Sequence, residues 1–150
     1  MYSHIAETWK TMLKNRSPEL KRKAYTWRRE PTVNRIEHPS RLDRARAVGY
    51  KAKQGIIVVR IRVGRGGMRK QRPVAGRRPK HIGVVHIKQK ISMKRVAERR
   101  VNEKYLNMKV MGSYMIYQDG MYSWFEVILA DPSHPAITKD KEMRSRINFN

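Results

Sequence analysis

Apolar positions along this chain follow two periods, helical in the first third and strand-like at two later places. In "SHIAETWKTMLK", Ile5, Trp9, Met12 and Leu13 fall on one helical face, and Ser3 stands where a cap would. "SPELKRKAYTWRRE" predicts a second helix. Ser17 and Pro18 mark its start, Glu19 sits at the positive end, and Leu20, Ala24 and Trp27 form its inner stripe. Pro31 stops it, because proline lacks the N–H that a further turn needs. "EPTVNRIEHPS" reads as an extended connector, and "SRLDRARAVG" as a short helix capped by Ser40 and ended by Gly49.

"GIIVVRIRV" predicts a strand. Ile56, Ile57, Val58 and Val59 are followed by strict alternation, with Arg60 and Arg62 on one face and Ile61 and Val63 on the other. The first face must meet something polar. From 64 to 80 no period survives, and glycine, proline and arginine predict a long extended loop. "HIGVVHI" fits a short strand. "QKISMKRVAERRVNEKYLN" sets Ile91, Val96, Ala97, Val101, Tyr105 and Leu106 at helical intervals, with Lys94, Arg95, Arg99 and Arg100 outside. "MKVMGSYMIYQDGMYSWFEVILADP" predicts a hairpin turning on Asp119 and Gly120 and ending at Pro132. The segment after it is polar and weakly patterned. The sum is one α+β domain over 1–150 with a mainly antiparallel, four-stranded sheet, a helical N-terminal part at 1–48, and the loop at 64–80 within it.

Charge changes the picture more than hydrophobicity does. Hydrophobic residues are 39% of the chain, enough for a modest core, while 35 basic residues face 12 acidic ones for a net charge of +23. The excess is local: 17 basic residues against one acid between 51 and 100, and six against six between 101 and 150. Scattered solubilising lysines would not produce that asymmetry. Like charge at this density opposes compaction unless a polyanion neutralises it.

The loop carries the chemistry suited to that polyanion. Arg65, Arg69, Lys70, Arg72, Arg77, Arg78 and Lys80 supply charge, and a guanidinium pairs with two phosphate oxygens at once. Gly66 and Gly67 remove side chains where backbone must approach closely. With so few apolar residues, such an arm is expected to order as it binds. The cations spread over helices, strand and loop. That suits envelopment by structured RNA better than reading of a DNA groove, since no zinc-finger spacing or basic zipper is present and a helix-turn-helix signal is weak. An architectural DNA-binding protein is the alternative. Trp9, Trp27 and Trp124 sit at apolar positions of their segments and read as core, whereas Tyr25, Tyr50 and Tyr122 are candidates to stack on a base.

Catalysis, cofactors and small-molecule substrates find no support. "GRGGMR" has Arg69 where a dinucleotide-binding loop needs its last glycine, and no phosphate loop, zincin helix or nucleophile elbow exists. The five histidines form no metal set, and the absence of cysteine removes disulfides and thiolate zinc. No apolar run approaches the length of a membrane span, so a cytoplasmic protein without membrane partners is expected.

Longer strings carry a resemblance. "GYKAKQGIIVVRIRVGRGG" at 49–67 closely resembles the signature of the archaeal and eukaryotic large-subunit ribosomal protein L15e family. "WFEVILADPSHPAI" at 124–137 is similar to its second signature, and "VAERR" and the opening "MYSHIAETWK" match in order and spacing. The resemblance implies a structural, non-enzymatic component of the large ribosomal subunit in the cytoplasm. Its implied partners are large-subunit ribosomal RNA and neighbouring ribosomal proteins. It also implies helices layered on both faces of an antiparallel sheet, α/β/α. By motif, Lys51, Lys53, Gln54, Arg60, Arg62, Arg65, Gly66 and Gly67 carry over as the expected RNA-contact region. The charge of "ISMKRVAERR" adds Lys94, Arg95 and Arg99 to the expected contacts. By that resemblance, family members usually continue past "RSRINFN" with a basic, glycine-containing tail.

Overall fold

A computed structural model describes residues 1–67, 71–83 and 91–148. Helix α1 (Tyr2–Lys14) is followed by α2 (Pro18–Arg29), strand β1 (Val33–Ile36), α3 (Leu42–Val48) and β2 (Ile56–Gly64). Then come α4 (Met93–Lys104), β3 (Lys109–Gln118), β4 (Tyr122–Ala130), α5 (Pro135–Thr138) and α6 (Lys141–Asn148). The four strands form one antiparallel sheet in the order β1-β2-β4-β3.

Alternation in β2 sorts its side chains into two cores. Val59, Ile61 and Val63 face α4, whose Ala97 and Val101 complete that layer with Phe125, Val127 and Leu129. Val58 points the other way, into a larger core built from Trp27 of α2, Ala45 of α3, Trp124 and Ile128 of β4, and Ile137, Met143 and Ile147 of α5 and α6. Helices therefore cover both faces, as the layered α/β/α arrangement requires. β4 lies between β2 and β3 with both faces covered, and every residue from 123 to 130 is buried. That explains why its sequence is apolar without alternation.

Glu126 is the exception in β4. It is fully buried and accepts hydrogen bonds from the Tyr114 hydroxyl at 2.7 Å and from the Ser40 N–H at 3.1 and 3.2 Å. Burial and the adjacent carboxylate hold the Tyr114 hydroxyl above its ordinary pKa, so it stays a donor.

Local signals match the structure where side chains act within their own segment. The Ser17 hydroxyl caps α2 by accepting from the Leu20 N–H, Ser92 caps α4 in the same way, and Gly49 ends α3 at φ 102°. Other expectations need correcting. Ser3 lies inside α1, which has no side-chain cap. Arg41 rather than Ser40 occupies the cap position of α3, and the Ser40 N–H donates to Glu126 instead.

The connector at 30–40 contains β1, which becomes a strand by pairing Val33 with Ile61 and Ile36 with Val58. It supplies the fourth strand. Most of the strand expected in "HIGVVHI" lies outside the described residues. The hairpin tip is not a glycine turn: Gly120 does not take a positive φ, and the Asp119 carboxylate instead accepts the N–H groups of Met121 and Tyr122. The weakly patterned segment folds as α5 and α6. There Asp140 caps α6 through the Glu142 and Met143 N–H groups, and Ile137, Met143 and Ile147 are buried. Ile91 and Leu106 flank α4 and are exposed.

Two irregularities finish the sheet. β3 shifts register between Val110 and Gly112 and again between Met115 and Tyr117. At Gly112 an added Cβ would lie 2.6 Å from Val48 Cγ1, so α3 approaches the sheet there as closely as backbone allows.

Candidate nucleic-acid interface

The β2 arginines face the α2 side of the sheet. The Arg60 side chain is only 11% exposed, lies over the Trp27 ring at 4.9 Å, and grips Glu30 through Nε and Nη2 at 2.7 to 3.2 Å. Arg62 lies over the Tyr122 ring at 4.7 Å and donates to the Arg28 carbonyl. The polar surroundings demanded by the alternation are thus the protein's own acid, carbonyl and aromatic faces.

Where β2 ends, Arg28 and Arg65 both close on the β3–β4 tip. Asp119 Oδ2 accepts from Arg28 Nε at 2.9 Å and from Nη2 at 2.5 Å. Arg65 donates to the Asp119 carbonyl. With the Gln118 amide turned to satisfy both groups, Gln118 Oε1 accepts from Arg65 Nε at 2.7 Å and Nη2 at 3.2 Å. Partial burial opposes ionisation of Asp119, but the Tyr122 and Met121 N–H groups and Arg28 outweigh it, and the carboxyl titrates below its ordinary value. Arg28 therefore pairs with the acid itself, while Arg62 and Arg65 are oriented by the backbone carbonyls of Arg28 and Asp119.

Lys51 and Lys53 join the loop before β2 to the start of α6. Lys53 Nζ lies 2.8 Å from Asp140, and Lys51 Nζ lies 3.3 Å from Asp140 and 2.8 Å from Glu142. The Lys53 hydrogen bond, then the Met143 N–H, hold the Asp140 carboxyl well below the usual carboxylate range. The Glu142 hydrogen bond raises the Lys51 pKa. Gln54 is exposed beside them.

Beyond Gly64 the surroundings change. Gly66, Gly67, Arg72, Arg77, Arg78 and Lys80 are exposed, and none of these four cations makes an ion pair among the described residues. Arg69 and Lys70 lie outside the described residues. On α4, Lys94 is 4.0 Å from Glu98 and Arg99 is 2.9 Å from Glu103. Arg95 and Arg99 border a groove of about 560 Å³ against β3. Among the described residues no His, Cys, Asp and Glu side chains group to hold a metal, and no helix is long and apolar enough to cross a membrane.

The aromatic residues separate as well. Trp9, Trp27 and Trp124 are buried, as their positions required. Of the three tyrosines left open for stacking, Tyr50 is 7% exposed, Tyr122 lies beneath Arg62, and Tyr25 is 55% exposed. Tyr25 opens on a recess of about 790 Å³ between α2 and the β3–β4 tip. Lys21 and Arg28 border it too, and their helical spacing with Tyr25 was a signal available in the sequence.

The sequence profile of the Ribosomal L15 family matches residues 1–147. The chain belongs to the ribosomal protein L15e family. It is 50% identical over 143 residues to the large ribosomal subunit protein eL15 of Methanocella arvoryzae, a match covering 95% of this chain and 73% of that protein. Members of this L15e family are structural components of the ribosome rather than enzymes.

Proposed function

We propose that this chain binds and stabilises large-subunit ribosomal RNA through the loop at 64–80 and the outer faces of its helices. It is a structural constituent of the large subunit of the cytoplasmic ribosome, beside neighbouring ribosomal proteins, and supports translation. Family membership supports the ribosomal assignment. One observation carries the RNA assignment. Asp119, Asp43, Asp140 and Glu30 pair with Arg28, Arg41, Lys51, Lys53 and Arg60, while Arg72, Arg77, Arg78 and Lys80 are exposed and make no ion pair among the described residues. Phosphates supply the counter-charges. Binding then releases condensed counterions, and bringing RNA segments together around the arm lowers their mutual repulsion.

Equilibrium binding to protein-free large-subunit ribosomal RNA and to duplex DNA at matched salt tests this reading. Preference for the RNA, with affinity falling steeply as salt rises, is expected. Preference for the duplex would overturn it.

A further inference from the structure

Resting on that RNA-binding reading, the geometry points to a pocket for one unstacked nucleotide, formed by the recess between α2, the root of the basic loop and the β3–β4 tip. A surface that only collected phosphates would need cations and nothing else. This recess instead combines cations with exposed apolar surface. Tyr25 and Met115 are 55% and 46% exposed and both line it, and Met121, 66% exposed, lies at the adjacent tip. Exposed large apolar side chains are costly unless they are covered, and here they converge.

Arg16, Lys21, Arg28 and Arg65 border the same recess. Two of them are already oriented: Arg28 by Asp119, and Arg65 by the Asp119 carbonyl and Gln118. Fixed guanidinium planes lose little freedom when a phosphate or base arrives. Arg29 lies over the Tyr25 ring at 4.3 Å and also donates to its hydroxyl, so the ring is held rather than free to rotate away. A volume of about 790 Å³ exceeds what a phosphate alone would fill. The occupant with this chemistry is a base extruded from folded RNA, its ring against Tyr25 and Met115 and its flanking phosphates on Lys21 and Arg28. Because Arg65 is also the first residue of the loop after β2, the nucleotide would fix the direction in which the arm leaves the sheet.

The test uses the full chain and two probes. Adenosine and guanosine monophosphate are titrated against protein carrying 13C-methyl methionine, with ribose 5-phosphate as the base-free control. The nucleotides are expected to shift the Met115 methyl resonance, and the sugar phosphate at the same concentration is not. Protein-free large-subunit ribosomal RNA is then bound by Y25A, Y25F and K21A. Y25A is expected to lose roughly tenfold in affinity with an unchanged salt slope, and Y25F to keep the wild-type affinity. K21A is expected to make the salt slope shallower by about one. Tyr25 is exposed, so matched thermal melts confirm that the variants fold. Wild-type RNA affinity in Y25A, or equal Met115 shifts from ribose 5-phosphate, would overturn the pocket while leaving RNA binding intact. Loss of RNA preference in the wild-type chain would instead overturn the reading beneath it.

Discussion

Arg60 and Arg77 belong to one continuous stretch of chain and have opposite surroundings. Arg60 is nearly enclosed, bonded to Glu30 and laid over Trp27. Arg77 is exposed, as are Arg72, Arg78 and Lys80, and none of them makes an ion pair among the described residues. Arg28, Lys51, Lys53 and Arg60 act as structural parts of the body: each ties segments distant in the chain, and Arg60 also covers an aromatic face. Along this stretch the change falls after Arg65, the first residue beyond β2 and still bonded to the β3–β4 tip.

That contrast predicts that stability and RNA affinity respond to different substitutions. The largest stability effect is expected for Trp124→Ala. Trp124 lies 1% exposed among Trp27, Tyr117 and Tyr122, and its removal should cost about 3–5 kcal/mol, read by chemical denaturation. Next comes joint replacement of Arg72, Arg77, Arg78 and Lys80 by glutamine. Ribosomal RNA affinity should fall roughly hundred- to thousandfold near 0.1 M salt and the salt slope should become shallower by about three. The denaturation midpoint should hardly move. A clear loss of stability in that variant would break the contrast.

Arg60→Ala tests the boundary from the other side. Loss of the guanidinium strands the half-buried Glu30 and uncovers Trp27, so stability should drop by about 1–3 kcal/mol. A salt slope equal to that of the unaltered chain would place Arg60 wholly within the body.

The smallest effect concerns the Lys51–Lys53–Asp140 junction. The Asp140 pKa is lower in the folded state, so its contribution is present above the unfolded value near 4. It is lost as pH falls below that value. Thermal melts of Asp140→Asn and the unaltered chain should differ at pH 6 and converge on acidification. A gap that widened at low pH would contradict the assignment.

The sequence made legible what depends on near neighbours. Ser17–Pro18, the β2 alternation and Gly49 each act within a few residues, and their elements appeared as expected. β1 was missed because four residues between prolines carry too little pattern; Ile61 and Val58, far along the chain, give it its identity. α5 and α6 were missed although Asp140 and the Met143–Ile147 spacing were visible, since three apolar positions are few among so many polar ones. For the interface, the charged stretch announced itself through composition. The commitment of Lys51 to Asp140, or of Arg28 to Asp119, joins residues about ninety positions apart, and no local period encodes it.

The rims of the sheet bear on life before assembly. On one side the sheet ends in a strand of four residues, and on the other in β3, which is kinked at two register shifts. A short border and a crooked one make poor templates for recruiting a foreign strand. Both borders of the sheet thus offer a second copy of the chain little regular backbone on which to add a strand.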